Sequence, residues 1–294
     1  MSTINPGDSN RLTREYIDSL LIEPRNIGGV PPSAALTLYG QPFDTPIMTA
    51  ALSHLKDDGL VKQAEAAKAV GAVNWVGMGP EEELERILAT GAKTIKIIKP
   101  YKDNERILKK IAHAERFGAF AVGVDLDHSF NSEGGYDVVL GEEMRSKTLE
   151  EIKTFVQATK LPFIIKGVLS VRDALMCLDA GVKGIVVSHH HGIMRYAVPP
   201  LRALPAIAKA MKGQMPIFVD CCIESGYDVF KCLALGATAA GIGRGLMPSI
   251  EKEGARGAEK FLADATNQLK GIMARTACKD LSAITEDIIW PPER

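Results

Sequence analysis

No run of this sequence approaches the ~18–20 consecutive apolar residues that a membrane span requires. An excess of one charge is missing too. Lys and Arg number 35 against 36 Asp and Glu, a formal net charge of −1, which removes the electrostatic motive for nucleic acid or an anionic membrane. Cysteine is sparse and unpatterned: Cys177, Cys221, Cys222, Cys232 and Cys278 form no Cys-x-x-Cys pair. Adjacent Cys221 and Cys222 are poorly placed to share a metal or to form an unstrained disulfide. A reducing compartment is expected. The opening MSTINPGDSNRLTREY lacks the apolar core of a signal peptide, so the expectation is a cytoplasmic protein with a small-molecule partner.

What is present is a repeat. Hydrophobic residues make up 46% and charged residues 24% of the 294 positions, enough for a sizeable core. Short apolar runs recur at Thr45–Ala50, Ala72–Val76, Thr94–Ile98, Ala119–Val124, Pro162–Ile165, Gly184–Val187, Pro216–Val219 and Ala239–Ile242. Continuous rather than alternating apolar character suits parallel strands buried on both faces. Helix-period segments such as NERILKKIAHAERFG separate them, and several end in glycine (Gly91, Gly118, Gly181, Gly236), as helix C-caps do. Eight strand–helix repeats predict an α/β fold, a single-domain (β/α)8 TIM barrel over 41–294, in preference to an open doubly wound sheet. Residues 1–40, with the stretch EPRNIGGVPPSA, read as an extension covering the bottom of the barrel. Residues 128–147 form a polar, glycine-bearing connection after the fourth strand, placed as a substrate lid or a plain surface loop would be.

The carboxyl ends of barrel strands face the active-site mouth. Those positions carry Lys99 after the third strand, Asp125 and Asp127 after the fourth, and Lys166 at the end of the fifth. Ser188, His189, His190 and His191 follow the sixth, Asp220 ends the seventh, and Gly243 and Arg244 follow the eighth. Charged or protic groups on six consecutive strand ends are the strongest functional signal in the chain. Gly241–Gly245 suits a phosphate site, because glycines let backbone N–H groups approach an anion. The three histidines are adjacent and lack a neighbouring carboxylate ligand, which disfavours a metal. A general base oriented by Asp125 or Asp127 fits better, with solvated loop histidines the plainer alternative.

In this order the residues resemble the FMN-dependent α-hydroxy-acid dehydrogenases and oxidases, the family of glycolate oxidase and lactate oxidase. The resemblance runs from Thr45 to about Thr285. It is densest in LPFIIKGVLSVRDALMCLDAGVKGIVVSHHHG and MPIFVDCCIESGYDVFKCLALGATAAGIGRGLM. It implies oxidation of a small α-hydroxy acid or related alcohol by hydride transfer to FMN, in a homo-oligomer, often a tetramer. It places Lys166 beside the flavin, His190 as the base and Asp125 as the carboxylate behind it. It also puts Ala50 and Ala51 against the flavin, and Gly243 and Arg244 at its phosphate, with Ser188 and Asp220 completing the cofactor set.

Three departures stand out. The substrate-clamping arginine aligns with Ile193, leaving Arg195 as the substitute. The tyrosine of the third strand aligns with Lys99, a second substrate-binding candidate. The phosphate-site segment Asp-Gly-Gly-x-Arg reads Asp220-Cys221-Cys222-Ile223-Glu224, a reversal of charge at its last position. A non-redox lyase or isomerase on the same barrel, or a catalytically silent ligand-binding paralogue, remains open on these grounds. The cysteines read as small hydrophobes in preference to reactive thiols.

Overall fold

Eight parallel strands surround one axis in the computed structural model, which describes residues 5–290. They are β1 (Ile47–Thr49), β2 (Asn74–Val76), β3 (Thr94–Ile98), β4 (Ala121–Asp125), β5 (Phe163–Lys166), β6 (Gly184–Val187), β7 (Ile217–Val219) and β8 (Ala239–Ile242). Each lies within, or one residue beyond, its apolar run. Hydrogen-bonded order runs β1-β8-β7-β6-β5-β4-β3-β2. A parallel bridge between Leu52 and Val76 joins the two ends and closes the barrel. All eight strands are buried along their length, which is why their sequences carry no alternation.

The helices that alternate with these strands carry apolar stripes inward and stop where glycine permits. Gly91, Gly118, Gly181 and Gly236 have φ of 80°, 80°, 80° and 105°, the left-handed region that an L side chain enters only at a cost of ~1–2 kcal/mol. Inside the barrel, Trp75 meets Phe218 edge-on with ring centroids 5.1 Å apart. Side chains thus fill the axis, and chemistry is left to the rim.

The hairpin of Leu36–Leu38 and Gln41–Phe43 closes the bottom. Tyr39 donates to the Lys183 carbonyl at 2.8 Å, and Phe43 packs edge-on against Phe120. The rest of the amino-terminal segment departs from the expected bottom cover. Helix α1 (Ser9–Ser19) lies at the opposite end, where Thr13 Oγ1 meets His189 Nε2 at 2.7 Å and Arg14 donates to the Cys222 carbonyl at 2.9 Å. EPRNIGGVPPSA runs along the carboxyl-terminal segment, with Arg25 N bonded to Arg275 O and Ser33 N to Lys279 O. Polar side chains at Thr13 and Arg14 explain the difference: they satisfy groups at the strand tops that have no partner within the barrel.

Residues 128–147 are ordered by contacts. Val138–Val139 pairs with Glu142–Glu143, Met144 is fully buried, and Met144 forms an antiparallel bridge with Tyr101. The hairpin therefore leans over the top of β3. No helix among the described residues is long and apolar enough to cross a membrane.

Candidate active site

The parallel register sets Lys166 directly beside Asp125 across the β4–β5 pair, so a cation and a carboxylate leave adjacent strands at the same height. Lys166 Nζ donates to Ser188 Oγ at 2.9 Å and lies 3.4 Å from Asp127 and 3.6 Å from Asp220. Asp127 reaches it because residue 167 is glycine, with φ of 95°; a Cβ there would sit 2.1 Å from Asp127 Oδ1. Burial alone would favour the neutral amine, but Asp220, Asp127 and Asp125 outweigh it and hold the ammonium firmly charged.

Asp125 is fully enclosed and committed on both oxygens. Its Oδ1 accepts from Asp127 N at 3.1 Å. Its Oδ2 lies 2.7 Å from Lys99 Nζ and 3.0 Å from His190 Nδ1. Burial pushes its pKa up, yet His190, Lys166 and Lys99 together carry it well below the usual carboxylate range. The carboxylate is permanently ionised at neutral pH. His190 titrates the other way: burial and Lys166 lower its pKa, and Asp125 and Asp127 more than restore it, leaving it raised.

The three histidines point three ways. Gly192 N donates to His189 Nδ1 at 2.9 Å, so its Nε2–H points to Thr13 and the ring is structural. His191 lies between Asn10 and Arg244. Only His190 faces Asp125 and Lys166, because its backbone and that of His191 adopt left-handed φ of 47° and 59°, which turn the chain back over the strand ends.

These groups border one cleft of about 150 Å³. Ala50 and Ala51 form one wall, Asp220 to Glu224 another, Gly243 to Gly245 a third, and Lys166 and His190 also line it. Of the residues singled out from sequence, Ala50, Ala51, Lys166, His190, Asp220, Gly243 and Arg244 are brought together here. Ser188 and Asp125 lie just behind.

Two expectations do not match the geometry. Arg195 does not reach the cleft: its guanidinium donates to Asn5 Oδ1 and the Pro6 carbonyl, because Tyr196 turns the chain with φ of 59°. Lys99 is spent on Asp125 and does not line the cleft, so its ammonium trims the charge of the carboxylate in place of gripping a substrate. Cys221 and Cys222 do line it, in left-handed conformations of 76° and 57°. Burial raises the pKa of both thiols, so they are neutral.

Two groups escaped notice in the sequence. His128, on the turn after β4, sets its Nε2 3.2 Å from His190 Nε2. Asp137, on the 128–147 hairpin, meets His128 Nδ1 at 2.9 Å. His128 follows Asp127 directly, which was its one available signal. Asp137 gave none, because only the folded hairpin brings it close.

With this geometry in place, likenesses to known proteins acquire a physical content. The family profile described as FMN-dependent dehydrogenase matches residues 4–147 and 131–291. Glycolate oxidase of Spinacia oleracea is 28% identical over 293 residues, covering 86% of this chain and 79% of its own. L-lactate oxidase of Roseobacter sp. (strain GAI101) is 36% identical over 157 residues, covering 53% of this chain and 42% of its own. A crystal structure of mandelate oxidase with 3,3-difluoro-2-hydroxy-3-phenylpropionic acid superposes with a TM-score of 0.86 at 25% identity, covering 95% of this chain and 88% of the other.

Proposed function

Since the chain belongs to the FMN-dependent dehydrogenase family, we propose that its cleft oxidises a small α-hydroxy acid at the hydroxyl-bearing carbon with FMN as cofactor. The observation that carries this is the convergence of Lys166, His190 and Asp125 on one side of a cleft that a glycine turn borders on another. Names of the relatives point the same way: the glycolate and lactate oxidases act on α-hydroxy acids.

The cleft fits the cofactor by donor chemistry. Lys166 supplies a fixed positive charge on its floor, Ala50 and Ala51 offer a side-chain-poor wall, and Gly243 to Gly245 lead into a helical turn whose first N–H groups have no helical partner. Arg244 adds positive charge beside that turn. When bound, FMN supplies a two-electron acceptor for hydride.

The chain's own residues do the rest. His190 Nε2 accepts the hydroxyl proton as the adjacent carbon gives up its hydride. Asp125, held ionised, stabilises the resulting imidazolium through Nδ1. Lys166 offsets negative charge that develops at the cleft floor, and Ser188 holds its ammonium in place. The test is optical: purified protein loaded with FMN should bleach near 450 nm without oxygen on adding glycolate, lactate or mandelate, an expectation for any flavin accepting hydride. If none of these acids bleaches the flavin, the proposal is wrong.

Glu224 opposes this cofactor's phosphate. Its Cγ lies 3.6 Å from where a Cβ on Gly245 would stand, so its charge borders the glycine turn. Glu224→Gln should tighten FMN about tenfold, or about 1.4 kcal/mol, a modest share of the Coulomb energy at intermediate dielectric. Quenching of flavin fluorescence on titration measures it. Unchanged or weaker binding would place the phosphate away from Glu224.

We further place the protein in a reducing cytoplasm as a homo-oligomer. All five cysteines are unpaired, and Met194, Tyr196, Val138 and Leu140 expose apolar surface on the loops after β4 and β6.

A further inference from the structure

Asp125, His190, His128 and Asp137 stand in a row, joined end to end by contacts of 3.0, 3.2 and 2.9 Å. The row contains four ring nitrogens and two terminal carboxylates. An ionised carboxylate only accepts, so each link to Asp125 or Asp137 needs a proton on the imidazole. The central link, nitrogen to nitrogen, needs one more. Three protons on two rings is one more than two neutral imidazoles carry, so the closed row holds a single mobile proton. Its place is between the two Nε2 atoms.

From this geometry, and resting on the oxidation chemistry above, we infer that His128, oriented by Asp137, receives the substrate-derived proton from His190 and passes it to solvent. The steps balance. The substrate hydroxyl gives its proton to His190 Nε2 while its carbon gives hydride to the cofactor. Once the ketone product, which has no proton to return, departs, His190 Nε2–H donates to His128 Nε2. His128 takes that proton as an imidazolium whose Nδ1–H stays on Asp137, and then releases it from Nε2 to water entering the vacated cleft, so both rings return to neutral with Nδ1–H on their carboxylates. His190 is left neutral, with Nδ1–H still on Asp125, ready for the next hydroxyl. Substrate and His128 thus use the same atom of His190 in turn.

The surroundings keep the resting proton on His190 and make His128 a transient carrier that sheds it readily. His190 faces Asp125 and Asp127 from β4 and its turn and Lys166 from β5. His128 faces Asp137 from the hairpin and feels Lys99 from β3 and His190 from β6. Burial and Lys99 lower the pKa of His128 despite Asp137, so it hands its proton on. It is a positioning and proton-accepting residue; the hairpin brings its carboxylate and holds it through Val138 N, which donates to Asp137 Oδ1 at 2.8 Å.

Imidazole-15N NMR of the FMN-loaded protein, titrated without substrate, tests this independently of turnover. In His128→Ala the titration of His190 should fall by about one pH unit, for loss of an acceptor to its charged form, and free imidazole should restore it. Asp137→Asn should lower it in the same direction, since His128 then accepts less well. A loss of packing alone would relieve the burial of His190 and raise its titration, the opposite sign. His190 titrating as in the parent in both variants overturns the relay, and a fall in His128→Ala alone overturns the part assigned to Asp137. A protein that passes this titration but oxidises no hydroxy acid loses the proposed function and keeps the relay.

Discussion

His190→Gln is expected to slow substrate oxidation by about 10²–10⁴-fold while FMN remains bound. That range is what a positioned general base contributes, and glutamine keeps the volume while removing the titratable nitrogen. Neither flanking imidazole can replace it: His189 is tied to Thr13 and Gly192, and His191 to Asn10 and Arg244. The parent should also show a pH profile of definite sign. A base must be neutral to accept a proton, and Asp125 and Asp127 raise the pKa of His190 against burial and Lys166. Activity should therefore rise with pH through a value above 6.5 and then level off. Stopped-flow bleaching of the flavin across pH 5–9 reads both effects at once. A variant within threefold of the parent, about 0.7 kcal/mol, would remove His190 from the chemistry.

Lys166→Met should be the most damaging single change to the fold around the cleft. The ammonium lies among Asp125, Asp127 and Asp220, each of them buried or nearly so. Removing it strands carboxylates that remain charged, and breaking such a buried pair costs ~3–5 kcal/mol. Thermal denaturation should show the loss, together with collapse of flavin reduction. The pH dependence follows from the sign of the charges. In the parent, Asp125 has a depressed folded-state pKa, so its stabilising contribution is complete above the unfolded value of 3.8 and lost as pH falls below it. Lys166, with a raised pKa, contributes fully below 10.5 and loses its contribution only in strong alkali. At neutral pH the variant lacks the cation while the anions stay, so its deficit is large there. The gap should narrow as acid protonates the carboxylates. An equal deficit at pH 3 and pH 7 would mean that lost packing, not charge, is responsible.

The barrel was readable because strands buried on both faces write themselves as unbroken apolar runs, from Ile47–Thr49 to Ala239–Ile242. The same geometry made Asp125 and Lys166 readable, since a polar residue at the end of such a run has only the mouth to face. Loop residues obey no such rule. Arg195 looked free in the sequence, yet a left-handed turn at Tyr196 directs it to Asn5 and Pro6. Lys99 was correctly placed at a strand end, but its partner depended on a neighbouring strand, and Asp125 claimed it. The link from His128 to Asp137 was invisible because nine positions of chain separate them and only the hairpin of residues 128–147 brings them together. Helix α1 misled for a related reason: nothing local distinguishes a segment that caps the bottom from one that supports the strand tops.

The paired thiols on the cleft wall also bear on how this protein can diverge. With φ of 76° and 57°, Cys221 and Cys222 occupy backbone that glycine tolerates freely, asparagine and aspartate tolerate moderately, and branched side chains resist. Inheritance at these two codons is thereby channelled: valine, isoleucine and threonine are shut out by the main chain before any ligand is consulted. New specificities on this side of the cleft must come from a short alphabet of compact residues.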